Sequence, residues 1–475
     1  MFVSASRSTQ IKTALKDSLL FGQEPSVELL AILLVYFVQG VLGLARLAIS
    51  FFLKDELGLS PAQVSALIGI AALPWVVKPV FGFLSDSLPL FGYRRRSYLV
   101  LSGLLGMASW VALATLVHTA WAATAAIALS SLSIAIGDVI VDSLVVERAR
   151  QESLSDSGSL QSLCWGSTAV GGILTAYFSG LLLEHVTTRT VFSITACFPL
   201  IVSAVAWLIA EPQVHEGLNL SAARIQVKQL RQALLQPQIK LPVAFLFLWQ
   251  STPSSDSAFF FFTTNELGFS PEFLGRVRLV TSIASLIGVW IFQRFLKALP
   301  ARTIFFWTTL FSAALGMTTL LLVTHANRAL GIDDRWFSLG DSLVLTIMGQ
   351  VAYMPVLVLA ARLCPPGIEA TFFALLMSVT NLASLLSHET GALLTHWLGI
   401  NVANFHSLWL LIVITNLTTL LPLPLIGWLP GSAEGSSREV PPVLEPELVV
   451  ADPLSQAYLP LIPELAPQPQ SQQGE

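Results

Sequence analysis

Charge is scarce in this chain. Asp, Glu, Lys and Arg make up 11% of its 475 residues, well under the share of an ordinary soluble domain, so most of the molecule cannot present a water-solvated surface. Cysteine is rarer still. Cys164, Cys197 and Cys364 show no C-x-x-C or metal-ligand spacing, so all three read as core or lipid-facing thiols. No G-x-x-x-x-G-K-[ST] loop, G-x-S-x-G elbow or H-E-x-x-H pair occurs, which argues against nucleotide-driven work and against the commoner hydrolase mechanisms. No metal, cofactor or nucleic-acid partner is expected, and the chain does not read as an enzyme. The N-terminus lacks a basic-then-apolar stretch with a small-residue cleavage site, so the first span is expected to serve as the insertion signal. The first fifteen residues carry bases and no acid, which keeps a transit peptide as the alternative.

What is abundant is apolar surface, with 54% hydrophobic residues and a mean hydropathy of +0.71. These values describe an all-α polytopic membrane protein. The net charge of -4 misleads, because residues 430–475 hold seven acids and one base; without that tail's -6 the body carries +2. The same tail has nine prolines and no apolar periodicity, so 429–475 is expected to be disordered.

A helical span needs about 20 apolar residues. Twelve candidates satisfy this, at 29–53, 62–85, 97–118, 121–146, 161–183, 189–210, 239–263, 272–296, 302–325, 339–363, 368–394 and 403–428. Placing the N-terminus in the cytoplasm puts seventeen Lys and Arg on the inner side and four (Lys54, Arg189, Arg328, Arg335) on the outer, with Arg46, Lys78, Arg276 and Arg278 inside spans. The positive-inside rule therefore places both termini in the cytoplasm. FFLKDELGLSP at 51–61 returns as FFTTNELGFSP at 261–271, with seven of eleven positions identical at offset 210, and Ala149-Arg150 is echoed by Ala361-Arg362 at offset 212. Twelve transmembrane helices in two six-helix halves with the same orientation form the parallel-repeat arrangement of major facilitators. The expected division is an N-terminal segment 1–28, a first half 29–210, a linker 211–238, a second half 239–428 and the tail 429–475. In the linker, Ile225, Leu230, Leu234 and Leu235 interleave with Arg224, Lys228 and Arg231, as in an amphipathic helix lying on a membrane.

The least ordinary stretch is GDVIVDSLVVERAR, Gly137 to Arg150. Asp138 and Asp142 are four residues apart and share one helix face. A charge inside a span costs at least ~2.5 kcal/mol, so it faces a cavity or a partner and is a functional candidate; a structural ion pair is the alternative. With the fourth span running inward, Asp138 lies about 24 Å from an outer start near Ala122 and Asp142 within about 6 Å of the inner end. Arg46 falls in the outer half of the first span, and Asp256 holds the repeat-equivalent place at offset 210.

Between the second and third spans stands GFLSDSLPLFGYRRRSY, Gly82 to Tyr98. It resembles the G-x-x-x-D…G-[RK]-[RK] loop of major facilitators, with an insertion before the arginines. Together with PWVVKP (Pro74 to Pro79), DVIVDSLVVERAR and LGFSPEFLG (Leu267 to Gly275), it resembles the folate-biopterin transporter family over residues 28–428. Leu90 and Arg96 depart conservatively from the expected pattern, and the acidic tail lies outside it. The resemblance implies movement of pteridines across a membrane, with members differing in substrate.

It further implies a central cavity lined by the first, fourth, seventh and tenth spans, which supply Arg46, Asp138, Asp256, Gln350 and Tyr353. A carboxylate can accept both donors of a pteridine's 2-amino and ring N–H pair, and a folate's glutamate tail calls for Arg or Lys. Asp138 and Asp256 are therefore candidates for the ring, and Arg46, Lys78, Arg276 and Arg278 for the tail. Arg276 and Arg278 could instead snorkel to the outer face, and being two apart they cannot both face the cavity. Lys78 could simply neutralise Asp86 or Asp138. Asp142 stands on the boundary between substrate and gate. Asp86, Arg94, Arg95, Arg96, Glu147, Arg148 and Arg150 are candidates for an inner gate. Asp138, Asp256 and Glu389 are candidates for proton coupling, the last beside His388; a helix–helix hydrogen bond is the alternative there, and Asn381 reads as packing glue. Phe259 to Phe262 read as packed or lipid-facing rings, with stacking on a pteridine as the alternative.

The expected function is a monomeric secondary transporter of folates or pterins in the bilayer, working by alternating access with a proton as candidate coupling ion. A bacterial inner membrane is the expected site, with an organelle envelope as the alternative. A non-transporting scaffold for pigment-protein complexes and a facilitator for another small organic anion are the competing hypotheses.

Overall fold

The computed structural model describes residues 25–149, 159–213, 228, 232, 234–296, 299–362 and 369–430. Among them every regular element is helical, apart from one isolated bridge between Leu90 and Tyr93. The terminal segments, most of the linker's amphipathic stretch and Arg150 lie outside the described residues.

Among the described residues ten helices are long and apolar enough to cross a membrane: Val27–Glu56, Pro61–Ser85, Arg96–Thr115, Ala120–Val145, Leu163–His185, Thr188–Leu208, Pro271–Leu296, Ala301–Val323, Asp334–Val356 and Leu408–Trp428. Two further helical stretches stand where the seventh and eleventh spans are expected. The eleventh is the continuous helix Glu369–Trp397, which carries Asn381, His388 and Glu389. The seventh is not one helix: Pro237–Gln250 stops at Ser251, and the chain turns helical again only at Asp256–Phe261. Pro253 lies in that gap; it has no backbone N–H to give a helix, and it disfavours the α conformation in the residue before it.

The repeat is visible in the backbone. Spans 1 and 7 both end in a π turn, Phe52–Glu56 and Phe262–Glu266. In each case the next glycine takes a left-handed φ of 64° (Gly58, Gly268), a conformation that costs little without a Cβ. A serine then caps the following helix, Ser60 accepting from the Gln63 amide and Ser270 from the Phe273 amide, each with proline at the first helical position. The shared E-L-G-x-S-P motif is thus a turn-and-cap device.

Spans 1 and 5, 3 and 4, 3 and 6, and 8 and 10 pack closely within their halves. The halves meet along span 2 against span 11 and span 5 against span 8. Gly180 and Gly275 allow the second contact, since a Cβ on Gly180 would lie 2.7 Å from the Gly275 Cα. Near the repeated loops the halves are sealed: Phe51 and Phe260 make an edge-to-face pair with centroids 5.3 Å apart, and Lys54 Nζ sits 5.7 Å above Phe51 and 5.9 Å above Phe261. The Ser65 hydroxyl donates to the His388 carbonyl (3.0 Å), and the Asn381 amide donates to the Trp75 carbonyl (3.1 Å). The molecule is therefore closed at the repeated loops. The opposite face, where span 6 ends at Leu208 and span 7 begins at Pro237, is the linker face.

Candidate functional site

The site begins with an interruption in span 2. Pro74 and Pro79 break the helical ladder, and the helix resumes at Leu73–Val76 and again at Lys78–Ser87, with Val77 between them off the helical conformation (φ -93°, ψ 12°). Lys78, just after the break, is 8% exposed. Its ammonium donates to Asp138 and to Asp142 Oδ2, the latter at 3.0 Å. The Tyr36 hydroxyl of span 1 donates to the other Asp142 oxygen at 2.5 Å, and the Trp75 ring lies 5.8 Å from the Lys78 ammonium. Gln39, one turn from Tyr36, points its buried amide at Asp138.

Two carboxylates and one ammonium leave this cluster at -1. Isolated in a membrane, that excess charge is costly, which favours a proton, a cation or a ligand presenting N–H donors. The Asp142 side chain, 43% exposed, is open to such a partner, whereas that of Asp138 is 14% exposed. Depth along span 4 separates these two aspartates; the structure joins them through one lysine. Lys78 is thereby committed to them and is not a free cation for an anionic tail. Tyr36, Gln39 and Trp75 escaped the sequence reading. Tyr36 and Gln39 are three apart on an otherwise apolar helix, a pattern that could have pointed to them.

A second charged group lies nearer the repeated loops. Arg276 and Arg278 take different sides of span 8. Arg276 is exposed and pairs with Glu272 at 2.6 Å, so it does not join the cavity group. Arg278 turns toward span 1, where its Nη2 lies 3.9 Å from the place a Cβ on Gly43 would occupy, beside Thr175. The charge that acts on it is that of Arg46, which is exposed one turn beyond Gly43. Arg278 Nη1 is buried without a hydrogen-bond partner.

The remaining candidates are dispersed. Asp256 is exposed at the start of its short helix, with its backbone N–H donating to Ser254 Oγ. Gln350 packs on Gly288 of span 8, where an added Cβ would lie 2.8 Å from the Gln350 Cβ. Tyr353 packs against the second half's core around Phe245 and Val356. Glu389 Oε1 and His388 Nδ1 are buried and unpartnered in the seam between spans 11 and 2, against Gly69. Phe261 and Phe262 are fully buried, which removes them as stacking platforms.

Of the gate candidates, the Arg94, Arg95 and Arg96 backbone amides all donate to the Glu211 carboxylate, at 2.7 to 3.2 Å. Glu211, which the sequence reading passed over, thus caps the start of span 3 from the end of span 6. Arg96 donates to the Ala206 and Trp207 carbonyls and stacks on Tyr93 and Trp207, which makes it a brace within the first half. The insertion before these arginines is a tight turn in which Leu90 and Tyr93 exchange backbone bonds across Phe91 and Gly92, both at positive φ. The Asp86, Glu147 and Arg148 side chains, like Arg150, lie outside what the structure describes.

The BT1 family model matches residues 39–439. The chain is 64% identical over 423 residues to a folate-biopterin transporter of Synechocystis sp., covering 89% of this chain and 86% of that protein. It is 34% identical over 401 residues to folate transporter 2 of Plasmodium falciparum, covering 84% and 88%. Its fold matches the crystal structures of a D-xylose–proton symporter (TM-score 0.63, 16% identity, 85% of this chain and 98% of that one) and of the nucleoside transporter NupG (TM-score 0.62, 12% identity, 84% and 98%). The chain belongs to the BT1 family, the folate-biopterin transporters, and has the major facilitator fold.

Proposed function

We propose that this protein is a secondary transporter of folates and pteridines that works by alternating access, as a carrier and not an enzyme. The observation that carries this reading is the part-buried Tyr36–Asp142–Lys78–Asp138 cluster, in a chain whose relatives are named for folate and biopterin transport. The pteridine ring presents its paired N–H donors to the Asp142 and Asp138 carboxylates. The glutamate tail extends toward Arg46 and Arg278, nearer the repeated loops. Helix rise puts Arg46 about 15 Å from the end of span 1 at Glu56 and Asp138 about 27 Å from the start of span 4 at Ala120, so the two groups differ in depth by roughly 12 Å, enough to hold opposite ends of an elongated ligand.

The cluster's excess negative charge is also where a coupling proton binds, and Glu389 in the seam is the second candidate. The excess of Lys and Arg on the linker side supports a cytoplasmic linker face and cytoplasmic termini. With the seal closed at the repeated loops, we read this as the inward-facing state, and the carrier as a monomer of a bacterial inner membrane. Counterflow of labelled folate and of labelled biopterin in proteoliposomes, at two pH values, tests the reading. Saturable exchange that strengthens at the lower pH is expected; correctly folded protein that moves neither compound overturns it.

A further inference from the structure

Arg278 belongs to the second half of the molecule and Arg46 to the first, yet Arg278 reaches span 1 within one helical turn of Arg46. Span 8 brings the Arg278 guanidinium to the break in span 1 at Gly43, where the missing side chain leaves room for it. One turn further along span 1, Arg46 is exposed. No carboxylate among the described residues pairs with either guanidinium, and Arg278 Nη1 has neither solvent nor a partner. Two like charges brought together in a medium of low dielectric repel strongly. The cost falls on the one state that brings them together, the state closed at the repeated loops.

We propose that Arg46 and Arg278 form a carboxylate-binding clamp across the two halves, and that a carboxylate bridging them favours closure at the repeated loops. This rests on the alternating-access reading above. The carboxylate accepts from a guanidinium on each side, which is the strong, geometrically matched form of this bond, and its charge turns the repulsion into attraction. Because its contacts exist in one state and not the other, binding shifts the population toward that state. A pteridine without a carboxylate lacks this coupling, so the clamp divides folates from free pterins.

The seal supplies the test. Phe51 and Phe260 touch across the halves, so a Phe51→Cys/Phe260→Cys pair, with the three native cysteines replaced by alanine, reports closure by its rate of oxidative cross-linking in proteoliposomes. The probes are folic acid, p-aminobenzoylglutamate, which is the carboxylate-bearing half alone, and biopterin. Both carboxylates are expected to raise the rate about fivefold or more, the lower end of ordinary coupling, and biopterin to leave it unchanged. Adding Arg278→Gln or Arg46→Gln should make cross-linking fast without ligand and blind to all three probes, while Arg278→Lys keeps part of the response. Equal acceleration by biopterin, no acceleration by either carboxylate, or a ligand response that survives Arg278→Gln overturns the clamp. Acceleration by p-aminobenzoylglutamate from a protein that transports no pteridine upholds the clamp and overturns the substrate assignment instead.

Discussion

The two halves share a backbone plan and differ at one matched place. In the first half, spans 2 and 4 touch through Lys78 and Asp138. Counting along the repeat, Lys78 corresponds to Gly288 at offset 210 and Asp138 to Gln350 at offset 212, and these two residues touch through packing alone. Asp142 corresponds to Met354, and Tyr36 to Leu246. The same helix pair is thus joined by a desolvated ionic cluster in one half and by close backbone approach in the other. The repeat retains the scaffold while dividing the chemistry: the first half holds the charge that can bind, and the second contributes packing at this depth and a single arginine nearer the seal.

This division can be broken first at Lys78. Lys78→Met leaves the largely enclosed Asp138 carboxylate and the half-exposed Asp142 without their cation, a lesion that reaches about 3–5 kcal/mol when the stranded charge is fully buried. Uptake should be lost and thermal stability in detergent should fall sharply. Pairing it with Asp138→Asn should recover much of the stability without recovering uptake. Full stability of Lys78→Met alone would show that the cluster is not desolvated.

Asp138→Asn by itself comes next. It keeps shape and removes charge, so transport should fall by about tenfold or more at unchanged protein level, the loss expected for a charge-assisted hydrogen bond worth about 1.5–3 kcal/mol. Wild-type uptake in this variant returns Asp138 to a structural ion pair. Tyr36→Phe removes one donor to Asp142 and should weaken half-saturation for pteridine by several-fold, about 1 kcal/mol, with the fold intact; an unchanged value would confine Tyr36 to packing.

On the other side, Gly288→Ala forces a methyl against Gln350 and should destabilise by about 1–3 kcal/mol, read as a lower melting temperature, with no change in ring selectivity across a pteridine panel. A changed selectivity would dissolve the contrast between the halves. Smallest of all is Glu272→Gln, which breaks the exposed pair with Arg276 and should leave uptake where it was; exposed ion pairs contribute little.

The spans were legible because a bilayer imposes its thickness on any helix that crosses it, and the two-half plan because an eleven-residue motif repeats. The site was legible only as a set of residue types. That Arg276 and Arg278 must face apart follows from helical rotation, but which of them faces span 1 depends on how span 8 packs at Gly180 and Gly275. The sequence offered Lys78 either Asp86 or Asp138 as a partner; that it holds Asp138 together with Asp142 depends on the break at Val77, whose angle no periodicity reports. Glu211 was invisible because its partners are backbone amides, which every residue possesses. The interruption of span 7 was written in Ser251 to Ser255, with Pro253 at its centre, but an apolar run on either side masked it.

The paired π turns before Gly58 and Gly268 set the rotation with which each half reaches the seal. A π turn holds one residue more than the α-helical path and rotates all that follows by about 100°, the angle of one residue at 3.6 per turn. An insertion in one copy alone would have left Lys54 facing away from Phe261 and the seal unmatched. With the turn at the same offset in both copies, the two spans leave the seal with the same rotation, so each half can be exchanged for the other there without re-aiming its loop.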